Sequence, residues 1–238
     1  MLIKNLTFSY PKSSKIIFDD LSFAILPHKL NILLGMNGEG KTTLFDIIAG
    51  IIKTDGIFQD RFQPQNILYH IQGVPILSTI RGKDYAQLIL GSSGQFKIRE
   101  ITKKAICDSF QRGDAFVDKI DYLWETQYGK MSPGERRWFS VLLFCLINKE
   151  LYIFDEPTAG LDPFSTSQIV KEIDRLKNKN KTVLYATHQI KDIEHFSDCV
   201  VHILYKGKIV ISSAKENWIE TSKKSQLEFV ESFIKDAT

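Results

Sequence analysis

LNILLGMNGEGKTTLFDIIAGI, residues 30–51, decides how the rest of the chain is read. It opens as a short apolar run, LNILLG. It closes as a second one in which Leu44, Ile47, Ile48 and Ile51 recur at helical spacing. Between them lie Gly35, Met36, Asn37, Gly38, Glu39, Gly40, Lys41 and Thr42, which match the pattern G-x-x-x-x-G-K-[ST] in the order strand, turn, helix. The pattern has a physical basis. Glycines let backbone N–H groups close around a polyphosphate, and the following helix turns its positive end toward the same anion. Lys41 can reach the outer phosphates, and the Thr42 hydroxyl suits Mg²⁺.

Working outward, the same alternation continues. LYIFDEP (151–157) is a buried strand that ends in two carboxylates, and TVLYATHQ (182–189) is another that ends near a histidine. A helix is expected over about 163–178, after AGLD (159–162), and a further one over QIKDIEHF. LIKNLTFSY and IIFDDLSFAIL read as strands around the turn PKSSK, and NILYHIQ as one ending near Gln72. CVVHILY and KIVIS form a hairpin with Lys206 and Gly207 at its turn. Residues 76–131 are polar and helical with no strong strand, which marks an inserted lobe. The expected organisation is one domain, 1–238, of class α/β. Its parts are a phosphate-loop core with a mostly parallel sheet at 1–75 and 132–215, the helical lobe, and a helical tail over 216–238. Leu227, Val230 and Ile234 stripe that tail.

In such sheets ligands bind at the carboxyl ends of the strands, and the loaded residues fall there. Asp155 is placed to hold magnesium, directly or through water, and Glu156 to orient or deprotonate an attacking water. Two adjacent carboxylates can serve one site only if the strand ends between them. His188 is positioned to enter the same site. Gln72 is the strand-end glutamine, with Gln63 and Gln65 close by in sequence. MSPGERRW (131–138) reads locally as a capping box: Ser132 at the cap, Pro133 at the first helical position, and Glu135 folding back.

Composition excludes several classes. The charge of +3 over 238 residues is too mild to imply nucleic acid. Cys107, Cys145 and Cys199 are far apart and odd in number, which argues against a disulfide framework or a zinc site and for a reducing compartment. The N-terminus lacks the form of a signal peptide. The longest apolar run, VLLFCLI (141–147), is far short of the ~20 residues a bilayer requires. A protein acting at a membrane would take its spans from another chain.

Together these motifs resemble the nucleotide-binding subunit of ATP-binding cassette (ABC) proteins, over nearly the whole chain and in the family's order. GMNGEGKTT resembles the Walker A loop, with Asn37, Gly38, Glu39, Gly40, Lys41, Thr42 and Thr43 at the phosphates. LYIFDE resembles Walker B, AGLD the D-loop, Gln72 the Q-loop, His188 the switch histidine, and Tyr10 the aromatic that stacks on adenine. MSPGERR stands one helix before Walker B, where the family's signature would be. SGQ at 93–95 has similar letters but no comparable helix after it.

The resemblance implies the family's fold, with an antiparallel β subdomain and the helical lobe, and ATP hydrolysis with Mg²⁺ held at Thr42, Gln72 and Asp155. It implies head-to-tail closure of two subunits, the same chain or a related one. Ser132, Gly134, Glu135 and Asp162 would then reach the partner's nucleotide. It implies an integral-membrane permease as partner and a place on the cytoplasmic face of the membrane. Pro133 and Glu135 depart from the signature: one removes an N–H donor, the other brings negative charge toward a phosphate. SQLEFVESF is similar to the ending of simple exporter ATPases, so export is favoured over import. Non-transport relatives, such as cofactor-assembly ATPases or a regulator that holds ATP without turnover, are the alternative.

Overall fold

The structure, a computed structural model, describes residues 1–71, 73, 75–110, 113–218 and 220. Its elements are β1 (Leu2–Ser9), β2 (Ile16–Ala24), β3 (Leu30–Leu34), α1 (Lys41–Ala49), β4 (Ile57–Gln59), β5 (Ile67–His70), α2 (Gly82–Ser92), α3 (Lys103–Phe110) and α4 (Asp114–Glu125). There follow α5 (Pro133–Leu146), β6 (Leu151–Asp155), α6 (Pro163–Asn178), β7 (Thr182–Thr187), α7 (Lys191–Glu194), β8 (Val200–Tyr205) and β9 (Lys208–Ala214). The tail stripe at Leu227, Val230 and Ile234 lies outside the described residues.

β3, β6 and β7 are buried at every position, as apolar runs must be when both faces of a sheet are covered. They are the centre of a six-stranded sheet in the order β5-β6-β7-β3-β8-β9. The first five strands run parallel, and β9 returns antiparallel to β8. Lys206 and Gly207, both at positive φ, make the two-residue turn between them.

A second, antiparallel sheet has the order β2-β1-β4. The buried side of β1 and β2, with Ile3, Leu6, Phe18 and Leu21, shares one core with Phe45, Ile47 and Ile48 of α1. β4 is an addition to the sequence reading. Three residues carry too little alternation to be recognised.

The chain divides into two compact units. The first comprises residues 1–70, 149–156 and 173 onward, and holds both sheets. The second comprises residues 71–148 and 157–172. The sequence expectation ended the lobe at residue 131 and assigned 132–148 to the core. In the structure this segment falls in the second unit because of what α5 packs on. Trp138 meets Phe116 of α4 at 5.4 Å between ring centroids, and Ser140 Oγ pairs with the Tyr85 hydroxyl of α2 at 2.8 Å. α5 also stops at Leu146, short of the expected end near Lys149.

Candidate active site

The carboxyl ends of β6, β7 and β3 are neighbours, because these strands are adjacent in the sheet. Leu34 lies beside Thr187, and Asp155 beside Ala186. This brings the phosphate loop, both carboxylates and His188 to one edge of the first unit.

The loop leaves β3 at Gly35, whose N–H donates to Thr187 O. Gly40, immediately before α1, has φ +100°, and a Cβ there would stand 2.8 Å from Ile17 Cγ2, so only glycine fits. α1 therefore starts without a side-chain cap, and its first N–H groups face the loop. Asn37 and Gly38 are exposed. Glu39 turns its carboxylate away to accept from the Lys206 N–H at 2.5 Å, which ties the loop to the β8–β9 turn.

Lys41 is buried and donates to Gly35 O at 2.7 Å and Met36 O at 3.1 Å. Burial pulls its ammonium below the usual lysine range, against the opposing fields of Glu156, Asp155 and Glu39. Thr42 donates its hydroxyl to Asp155 Oδ2 at 2.7 Å. Asp155 is buried, which raises its carboxyl; the Thr42 hydrogen bond and Lys41 lower it, and Glu156 raises it further.

β6 ends at Asp155, and Glu156 adopts φ +47°, left-handed backbone that costs a non-glycine residue about 1–3 kcal/mol. That turn resolves the problem of two adjacent carboxylates. Asp155 meets Thr42, while Glu156 Oε1 accepts from His188 Nδ1 at 2.7 Å and lies 3.9 Å from Lys41 Nζ.

Tyr10 is 41% exposed, and its hydroxyl shares a hydrogen bond with Thr43 Oγ1 at 3.0 Å. The sequence carries no sign of that pairing. Gln72 lies outside the described residues. The oxygen-only pair of Thr42 and Asp155 suits a hard cation that brings its remaining ligands as water and phosphate oxygens, the habit of magnesium.

The second unit holds the other expected residues. Ser132 caps α5 through its hydroxyl, which accepts from Glu135 N at 3.2 Å, while Glu135 Oε2 accepts from Ser132 N at 2.7 Å. Arg136 donates to Tyr128 O and Gly129 O. Gly134 packs on the 159–162 turn: a Cβ there would stand 2.9 Å from Gly160 O. Asp162 accepts from both the N–H and the hydroxyl of Ser165, in the first turn of α6. Gln95 of the SGQ stretch exchanges two hydrogen bonds with the Asn148 backbone, so it is committed within the unit.

Residues 18–159 match the family described as ABC transporter. The ATP-dependent lipid A-core flippase of Pseudomonas fluorescens is 30% identical over 87% of this chain, which spans about a third (36%) of that relative's length. Protein McbF of Escherichia coli is 26% identical over 94% of this chain and 90% of its own. A solved ATP-binding subunit of an ABC transporter superposes with TM-score 0.77 at 18% identity, covering 100% of this chain and 99% of that one. A dimeric ATP-binding cassette in a post-hydrolysis state with ADP and Pi has TM-score 0.73 at 19% identity, covering 90% and 98%. Sheet order, phosphate loop and family match agree: the chain belongs to the ABC transporter family, as an ATP-binding, ATP-hydrolysing domain of it.

Proposed function

We propose that this chain powers an ABC exporter, hydrolysing ATP as two such subunits close and reopen on the cytoplasmic face of an integral-membrane permease. One observation carries the reading: Lys41, Thr42, Asp155, Glu156 and His188 form a connected, fully occupied set at the ends of adjacent strands. Export is supported by the flippases among the relatives. Among the described residues no helix is long and apolar enough to cross a membrane, which fits spans carried by a partner chain.

Each residue's part follows from its chemistry. Lys41 exchanges its two carbonyl partners for the β- and γ-phosphate oxygens of ATP. Thr42 and Asp155 would hold Mg²⁺, which neutralises charge on the phosphates. Glu156 takes a proton from the attacking water, and His188 fixes the rotamer of that carboxylate. Tyr10 releases Thr43 and stacks on adenine. The first turn of α5 and Asp162 face the nucleotide of a second subunit, either a copy of this chain or a related one.

The test is purification of the Glu156→Gln chain from membranes with ATP and magnesium. Loss of a positioned general base slows hydrolysis by about 10²–10⁴-fold. ATP binding survives, so a closed pair should be trapped together with an integral-membrane protein. Hydrolysis at the parent rate overturns the role of Glu156. A wholly soluble protein with no membrane partner overturns the transport reading.

A further inference from the structure

Lys119, on α4 in the second unit, lies between two turns that the proposed function makes important. Its Nζ donates to Ser165 Oγ at 2.7 Å, and that hydroxyl donates in turn to Asp162 Oδ2. The same ammonium stands 4.5 Å from the centre of the Trp138 ring, one turn into α5. Trp138 is fixed from its other edge, where Nε1–H donates to Gln168 Oε1 at 2.8 Å.

Two carboxylates flank this ammonium: Asp162, reached through the Ser165 hydroxyl, and Glu135, one helical turn before Trp138 on α5. Burial pulls its ammonium down, and these two carboxylates push back. Arg136 is committed to two backbone carbonyls, and Arg137 stands by Gly160. Glu135 is the residue whose negative charge is out of place beside a phosphate.

We infer that Lys119 is a positioning residue for the trans nucleotide face: it offsets the charge of Glu135 and, through Ser165, holds Asp162 in place. A long, half-buried cation is suited to this, because its ammonium meets the buried Ser165 hydroxyl directly and the exposed Asp162 carboxylate through it. Its ammonium lies over Trp138 and also reaches the Ser165 hydroxyl, so one side chain links α4, α5 and the start of α6. The inference rests on reading MSPGERR as the trans signature.

The experiment measures ATP-driven dimerisation of the full chain in the Glu156→Gln background, with ATP affinity of the single chain measured separately. Lys119→Met should weaken dimerisation by about tenfold, the worth of one charge-assisted hydrogen bond, and leave single-chain ATP affinity unchanged. Lys119→Arg should restore it.

The charge-specific readout is the double variant. Glu135→Gln alone should tighten dimerisation only slightly, whereas in the Lys119→Met chain it should recover most of the loss. A double variant no better than Lys119→Met overturns the inference, since a purely structural role has no reason to respond to the charge at Glu135. Should Lys119→Met fold poorly by thermal melt, Lys119→Gln reads the same coupling. Ser132→Trp separates the two levels. If it leaves dimerisation intact, the trans signature reading itself fails. If it abolishes dimerisation while Lys119→Met behaves as the parent, only the role of Lys119 fails.

Discussion

Gly134→Ala should separate function from stability. The added Cβ would stand 2.9 Å from the carbonyl oxygen of Gly160, where ordinary contact begins near 3.4 Å, so about 0.5 Å must be found. No flexible side chain can give way, because the obstacle is backbone. Gly160 sits at φ +75° in a tight turn, and Asp162 beyond it is tied to Ser165 by two hydrogen bonds. Overpacking of this kind costs about 1–3 kcal/mol. Alanine in place of glycine inside a helix returns up to ~1 kcal/mol. Global stability should therefore fall by no more than about 3 kcal/mol, or roughly 6–12 °C in Tm. The geometry between the first turn of α5 and the 159–162 turn should still change, and both face the partner's nucleotide in the proposed dimer. Phosphate release measured against protein concentration should fall by about tenfold or more, the equivalent of 1.4 kcal/mol. ATP titration of the single chain should match the parent. Parental turnover at every protein concentration would show that the close approach of Gly134 to Gly160 carries no function.

Tyr10→Ala should weaken ATP affinity by up to about tenfold and alter the hydrolytic step far less, as loss of a stacked aromatic predicts. Tyr10→Phe, which loses the hydroxyl bond to Thr43 but keeps the ring, should bind ATP at least as well as the parent; weaker binding by the phenylalanine variant would count against stacking. Asp155→Asn should raise the melting temperature of the nucleotide-free chain at neutral pH, by about 2–4 °C for each kcal/mol of burial penalty it removes. The sign follows from linkage: burial raises the folded pKa of Asp155, so the folded state binds the proton more tightly and loses stability as pH climbs above the unfolded value. The gain should vanish on acidification through the carboxylate range, and a gain that persists there would refute the cause assigned to it.

The phosphate loop was legible because its chemistry forces residue types on consecutive positions. Glycine is obligatory at Gly40, and the lysine and threonine follow at once. LYIFDE was legible for the same reason, and so was the capping box at Ser132, whose two reciprocal hydrogen bonds involve residues three apart. What depends on distant partners left no such mark. The placement of β3 between β7 and β8 is a matter of sheet order, which no local pattern encodes. The assignment of α5 to the second unit depends on Phe116 and Tyr85, residues at helical spacing that could have packed anywhere. The adjacency of Asp155 and Glu156 raised the right question, but the positive φ at Glu156 is visible only in the folded backbone. Lys119 reads as one more solvated lysine until the fold sets it against Trp138 and Ser165.

The bond from the Lys206 amide to the Glu39 carboxylate spans 167 positions of sequence and joins the phosphate loop to a surface hairpin turn. An amide in an exposed two-residue turn normally exchanges its proton with solvent quickly. This one is held by a side chain of the loop, so it exchanges only when that side chain lets go. The deuterium uptake of a single peptide around residue 206 thus becomes a clock for the phosphate loop, readable without nucleotide analogue, label or substitution in the site.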